Sequence, residues 1–369
     1  MVYLDNAATS LPKPITVLRA VNECIEEYCA NSGRSSHRLA MRCSDEIYAA
    51  REAVARHFCM DDPSRTVFVT NATYALNTAI KTMIPSGAHV LISELEHNAV
   101  LRPVEKLKRE GKISYSVFST RGDIHRNIKK LITPKTAAIV STLCSNVSGA
   151  EIPIDILSTV SRENGLIFIA DASQIAGHKR IDLSRNPCDA LCAPAHKGML
   201  GIQGCGFICF AGNRLPTKSF IEGGTGSHSL DVNMPIQLPD LLEGGTLPTP
   251  AIVALRHGID FIENIGLSEI ETRMRILKNE FLARLDALDK IAVIAHGGTI
   301  ISLVGKGLSN SAIISRLNDC EIATRGGLHC APMAHRALGT LGTGTIRISL
   351  SVMNTVEDAD ALYKCLSDL

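Results

Sequence analysis

The sequence predicts an α/β protein, with a mostly parallel seven-stranded sheet covered by helices on both faces and a smaller α+β domain after it. Three observations lead there. Short apolar runs alternate with helix-period segments from Val67 to Phe210, the pattern of strands joined by crossovers. One of those runs, Leu166–Ala170, carries no charge, as a strand buried on both faces does, and Asp171 follows it directly. Beyond Gly244–Pro250 the character changes to two long helical patterns and a last group of strands.

In chain order, residues 1–15 read as an extended arm because Pro12 and Pro14 stop any helix. Val17, Val21, Ile25 and Tyr28 give Ile15–Cys29 a helical stripe. Asn31–Arg38 is a polar, glycine-bearing loop, and Ser44–Phe58 a second helix with Ser44 as its cap. Strands are expected at Val67–Thr70, Val90–Ile92, Ile113–Phe118, Ala137–Thr142, Leu166–Ala170, Ala190–Ala193 and Phe207–Phe210. Helices lie between them at Tyr74–Met83, Asn98–Arg109, Ile124–Leu131 and Ile154–Glu163. Helices at Ala251–Glu263 and Ser268–Leu288 then lead to strands Ile291–Ala295 and Thr299–Val304, a helix Ser309–Leu317 and a strand Thr345–Leu350. The division is therefore 1–15 arm, 16–248 large domain and 249–369 small domain, the arm going with the latter.

Composition narrows the function classes. With 38 basic against 37 acidic side chains the net charge is +1, so no field favours nucleic acid or an anionic membrane. Trp is absent and aromatics are 4%, which leaves no stacking platform for bases. No apolar run approaches the roughly 20 residues that span a bilayer. The opening MVYLDNAATS lacks a basic region and an apolar core, so no signal peptide is expected and the 12 cysteines are read as reduced thiols of a cytoplasmic protein. Cys188/Cys192 and Cys205/Cys209 sit in strand-like runs and read as packing rather than metal ligands.

Asp171, Gln174 and the His196-Lys197 pair suit a pyridinium cofactor held as a Schiff base: acid to ring nitrogen, amide to ring hydroxyl, amine to aldehyde. A strand-end Asp as helix cap with a solvated Lys197 stays open at this point. Thr70-Asn71-Ala72-Thr73, between strand and helix, offers exposed N–H groups to a phosphate, or else Thr73 is a plain cap. His97 is placed to stack on a flat ring and exchange protons, and Asn146 to bind a cofactor oxygen, unless they are ordinary loop and turn residues. Arg347, inside an apolar strand, needs an anion, either a substrate carboxylate or a structural partner. Cys330 follows a glycine-rich, mobile-looking loop, where Arg325, His329 and a following helix N-terminus would favour its thiolate as a nucleophile, unless the thiol is inert packing.

In this order the pieces resemble the cysteine desulfurases, in the class V aminotransferase group of fold-type I pyridoxal-phosphate enzymes. The likeness runs over nearly the whole chain. It is carried by Y-L-D-N-A-A-T-S at Tyr3–Ser10, A-T-Y-A-L-N at Ala72–Asn77, E-H-N at Glu96–Asn98, S-N-V-S-G at Ser145–Gly149 and D-A-S-Q at Asp171–Gln174. A-H-K at Ala195–Lys197, E-G-G-T at Glu243–Thr246, R-G-G-L-H-C-A-P at Arg325–Pro332 and T-I-R-I-S at Thr345–Ser349 complete it. The cysteine loop is similar to the short form in the branch that includes selenocysteine lyases.

The resemblance implies pyridoxal 5'-phosphate as cofactor, bound by Ala72, Thr73, His97, Asn146, Asp171, Gln174, His196 and Lys197. Gly245 and Thr246 would reach the phosphate of a neighbouring subunit in a homodimer. Lys197, Cys330 and His97 would be catalytic, and Arg347, Asn146 and Arg325 would hold the substrate. L-Cysteine, or L-selenocysteine, would yield alanine and a persulfide on Cys330 for a sulfur-acceptor protein. Tyr74 stands where the family often has Glu, and Pro194 where it often has a phosphate-binding serine; His196 and a partner's Thr246 are the candidate replacements. The rival readings are a selenocysteine lyase, a class V aminotransferase, and a nucleotide-binding or scaffold protein without lysine chemistry.

Overall fold

The computed structural model describes residues 1–32, 36–227 and 230–369, so Gly33, Arg34 and Ser35 of the expected polar loop lie outside the described residues. The arm is not free. Its strand β1 (Val2–Tyr3) runs parallel to a short strand near the far end of the chain, and Leu4 is buried in the core there.

Seven strands form the large sheet: β2 (Thr66–Val69), β3 (Ala88–Ser93), β4 (Ile113–Phe118), β5 (Thr136–Thr142), β6 (Ile167–Asp171), β7 (Ala190–Pro194) and β8 (Gly206–Cys209). Their order is β2-β8-β7-β6-β5-β3-β4, and only β8 runs against its neighbours. β7, well inside the sheet, is buried at every position, and so is β3, which explains the unbroken apolar sequence of β7 and the Val90–Ile92 run of β3. The chain leaves β3 for the edge strand β4 and returns to the other side of β3 with β5, so the winding direction reverses between β3 and β5. In open sheets of this kind the crevice beyond the strands' carboxyl ends at that reversal is where ligands bind.

A second, antiparallel sheet contains β9 (Ile291–Gly297), β10 (Ile300–Gly305), β12 (Arg325–Gly327) and β13 (Thr345–Ser349), while β11 (Ile322–Ala323) pairs with β1. Helices Leu267–Asp286, Asn310–Asp319 and Val356–Ser367 pack on it. Helix Thr249–Ile265 serves both cores: Ile252, Leu255 and Ile259 face the large one, Ile262 the small one.

Several local expectations change. The second helix spans Arg38–His57; His37 caps it, its Nδ1 accepting from Ala40 N at 3.2 Å, and Ser44 is interior, its hydroxyl donating to the Ala40 carbonyl. The first helix ends in a π-turn at Cys24–Tyr28. Gly326 and Gly327, expected to loosen the cysteine loop, are strand residues paired with Ile346 and Thr345. Helix Val356–Ser367 is an element the periodicity did not reveal, despite a capping box between Thr355 and Asp358. Cys320 and Cys365 are joined as a disulfide, their Cα atoms 6.2 Å apart, so the 12 cysteines are not all free thiols. Cys188, Cys192, Cys205 and Cys209 are buried. Among the described residues no helix is long and apolar enough to cross a membrane.

Candidate active site

Thr142, Asp171 and Cys192 lie side by side across the ends of β5, β6 and β7. Beyond them opens a cleft of about 650 Å³, and eight of the expected residues line it: Ala72, Thr73, His97, Asn146, Asp171, Gln174, His196 and Lys197. Residues far apart in the chain meet here because they follow different strands of one sheet.

Lys197 sits in the turn after β7. That turn is backbone-packed against the one after Asp171: a Cβ on Gly198 would come within 2.2 Å of the Ala176 carbonyl, and one on Gly177 within 2.2 Å of the Gly198 carbonyl. Two glycines thus fix the lysine relative to the acid. Burial lowers the Lys197 ammonium to about 8, with Asp171 opposing the shift and Arg347 and Arg325 adding to it. A neutral amine therefore exists within about a unit of physiological pH, as a nucleophilic lysine requires. We expect reductive labelling of Lys197 by a small aldehyde in the cofactor-free protein to rise through a midpoint near pH 8, measured by peptide mapping. A midpoint above about 10, that of an ordinary lysine, would refute this.

Asp171 is 3% exposed; its Oδ1 accepts from Ser173 N at 2.9 Å. Asn71, not Thr73, caps helix Ala72–Met83, its Oδ1 accepting from Tyr74 N at 2.9 Å. The N–H groups of Ala72 and Thr73 and the Thr73 hydroxyl thus face the cleft without protein partners among the described residues. His97 caps helix Asn98–Arg109: its Nδ1 accepts from Ala99 N at 3.0 Å, so the neutral ring carries its proton on Nε2. Burial lowers it to about 4, against the pull of Asp171. It is a neutral plate with one N–H.

The arm crosses the site. The Ala7 carbonyl accepts from Gln174 Nε2 at 3.1 Å, committing one N–H of that amide, and the His196 carbonyl accepts from Ser10 N at 2.9 Å and Thr9 Oγ1 at 3.1 Å. Lys13 also reaches the His196 carbonyl, at 3.1 Å. His196 Nδ1 and Asn146 Oδ1 are buried without partners, while Asn146 Nδ2 donates to the His329 carbonyl at 2.7 Å.

Arg347, 2% exposed, already has an anion: Nη2 meets Asp5 at 2.7 Å and Nη1 the Asn146 carbonyl at 3.1 Å, leaving buried Nε unpartnered. Of the two readings of this arginine, the ion pair is the one present. Arg325 is exposed and lies across from Arg347 in the β12–β13 register. Cys330 does not line the main cleft; it opens on an adjoining basin that shares Thr73, His97 and Ala99 with it. His329 is held neutral by burial, at about 3, and so lends the thiol no positive charge. Gly245 and Thr246 are exposed and outside this chain's cleft.

Glu96 is a site residue that sequence reasoning missed, although it precedes His97 in the E-H-N motif. It is fully buried, accepts from Ser93 Oγ and, at 2.8 Å, from Thr142 N, and so ties β3 to β5 beneath the cleft. Burial, reinforced by Asp171, raises its carboxyl to about 8, so it stands protonated at neutral pH.

A half-buried lysine and a buried acid follow the ends of parallel strands, with a helix N-terminus beside them, and together they offer an amine, a carboxylate and free N–H groups to one cleft. Residues 2–362 match the family described as Aminotransferase class-V, and the chain belongs to that family, whose members are in general pyridoxal-phosphate enzymes. Its relatives include a probable cysteine desulfurase of Methanothermobacter thermautotrophicus, 28% identical over 100% of this chain and 94% of that protein. Another, from Halalkalibacterium halodurans, is 29% identical over 99% of this chain and 92% of its own. The apo structure of a cysteine desulfurase from Thermococcus onnurineus superposes with a TM-score of 0.85 at 25% identity, covering 100% of this chain and 94% of that one.

Proposed function

We propose that this chain is a pyridoxal-phosphate-dependent cysteine desulfurase that forms L-alanine from L-cysteine and takes the sulfur as a persulfide on Cys330. The observation that carries the reading is the position of Cys330, which opens on a basin joined through His97 to the cleft that holds Lys197. An aminotransferase has no use for a thiol there.

The residues present fit the cofactor. The unpartnered N–H groups of Ala72 and Thr73 and the Thr73 hydroxyl suit a phosphate, and the orphaned His196 Nδ1 supplies the polar group that Pro194 cannot. Asp171 Oδ2 is free for a ring N–H, Gln174 for a ring hydroxyl and Asn146 Oδ1 for a further donor. Bound there, pyridoxal 5'-phosphate supplies an aldehyde for amines and a ring that withdraws electrons.

The chain's own groups do the rest. Lys197 Nζ, neutral near pH 8, moves the substrate's α-proton, and His97 stacks over the site with Nε2–H as a donor. Arg347, together with Asn146 and Arg325, orients the substrate carboxylate. Cys330 Sγ bonds to the substrate sulfur as the carbon–sulfur bond breaks, leaving the enzyme persulfide and alanine. We assign residues 16–248 to the cofactor domain and 249–369, with the arm, to the smaller one. Exposed Gly245 and Thr246 complete the cofactor site of a second subunit in a homodimer.

Cys330→Ala should still bind L-cysteine with a change of colour, yet release sulfide about 10²-fold or more slowly, the scale on which loss of a nucleophile is felt. Unimpaired sulfide release would overturn the assignment. Alanine formation from L-cysteine and L-selenocysteine, run side by side, decides between desulfurase and selenocysteine lyase.

A further inference from the structure

Cys330 sits in an unusual turn. His329 and Cys330 both adopt left-handed backbone, with φ of 49° and 56°, a conformation that residues with side chains hold only when their surroundings enforce it. Two enforcing contacts come from the cleft and its adjoining basin: Asn146 Nδ2 donates to the His329 carbonyl and Asn98 N to the Cys330 carbonyl, each at 2.7 Å. The third comes from behind, through side chains that the proposed reaction does not use.

The His329 ring, 4% exposed, bonds through Nε2 to the Arg325 carbonyl at 3.1 Å. A carbonyl only accepts, so Nε2 carries the proton and the neutral ring's Nδ1 is an acceptor. At 3.4 Å from Nδ1 lies Nε2 of His335, a fully buried residue whose ring lies beside that of His329 and nearly coplanar with it, the planes 14° apart and the centroids 5.6 Å, as an in-plane N–H···N bond requires. For Nε2 of His335 to donate, its Nδ1 must accept, and Thr340 Oγ1 stands 2.8 Å away to give it a proton. The donors therefore run one way: Thr340 hydroxyl to His335, His335 to His329, His329 to the Arg325 carbonyl. Helix Pro332–Leu338 and its left-handed cap Gly339 return the chain so that Thr340 can close this line, and Thr340 N bonds back to the His335 carbonyl at 2.9 Å.

We propose that His335, backed by Thr340, is a positioning residue for Cys330, acting through the His329 ring to hold the turn that presents the thiol to the cleft. The proposal rests on the desulfurase reading for its catalytic meaning, and its structural content can be measured separately. No water or second ion is needed to complete the line, and each member has the one partner its tautomer requires.

The test uses the holoenzyme. In His335→Leu, which keeps bulk but cannot donate, KM for L-cysteine should stay within about twofold while alanine formation slows about tenfold or more, as expected when a reacting group loses its aim. The Asn98 amide, whose bond to the Cys330 carbonyl reports on the turn, should exchange its hydrogen about tenfold faster. His335→Gln, with an amide N–H to donate and an amide oxygen to accept from Thr340, should recover most of both. Should His335→Leu fold poorly, Thr340→Val removes only the last donor and should shift rate and exchange in the same direction. Wild-type turnover together with wild-type Asn98 exchange in His335→Leu or Thr340→Val would overturn the proposal. Fast Asn98 exchange in those variants together with unimpaired sulfide release from Cys330→Ala would uphold the hold on the turn and sink the persulfide role of Cys330 instead.

Discussion

Lys197→Ala, purified with pyridoxal phosphate supplied, should form alanine from L-cysteine about 10⁴-fold or more slowly than wild type, because a nucleophile and a proton carrier disappear together. The neighbouring bases cannot take over. His97 has Nδ1 committed to the Ala99 amide and is lowered to about 4, which leaves it a weak base. Lys13, also lowered to about 8 by burial, is fixed on Ser10 Oγ at 2.7 Å and the His196 carbonyl at 3.1 Å. Lys197→Arg should fail equally, since a guanidinium keeps the cation but offers no free amine near neutral pH. Borohydride reduction of the wild-type holoenzyme followed by peptide mapping should place the label on Lys197. A Lys197→Ala rate within about tenfold of wild type would end the lysine mechanism, whatever Cys330 does.

What the sequence made legible follows from the range of the signal. Strand and helix positions up to β8 are periodicity effects, read within about a dozen residues, and Asp171, Lys197, Thr73 and His97 could be placed because each closely follows such a strand. The caps were harder. His37 and Asn71 take the roles expected of Ser44 and Thr73, since several nearby polar residues can cap a helix and packing chooses among them. Contacts between remote segments left no local trace: β1 with β11, Asp5 with Arg347, Cys320 with Cys365, and the glycines of β12 that read as a mobile loop. The His329–His335 line is intermediate. Its members lie close in sequence, but the ring-to-ring geometry depends on a short helix beginning at Pro332, whose length and direction no local pattern specifies.

Asp5→Ala should lower the stability of the protein by about 3–5 kcal/mol, the range for removing one partner of a buried ion pair. The arithmetic is set by Arg347, which is 2% exposed, has Nε already unpartnered, and would be left with only the Asn146 carbonyl. Denaturant midpoints measure this directly. Asp5→Ala combined with Arg347→Ala should cost less than the sum of the two single changes, because the second removes the stranded charge. The same pair bears on the substrate. If Arg347 is to hold a carboxylate from the substrate, Asp5 must share or yield Nη2, so the free guanidinium of Asp5→Ala is a better receptor for that group than the wild-type pair. An unreactive amino acid such as L-alanine should therefore raise the melting temperature of Asp5→Ala more than that of wild type, since a ligand stabilises in proportion to the logarithm of its occupancy term. Equal shifts would leave Arg347 as a purely structural partner of the arm and move the carboxylate site to Arg325, whose exposed side chain faces no resident acid among the described residues.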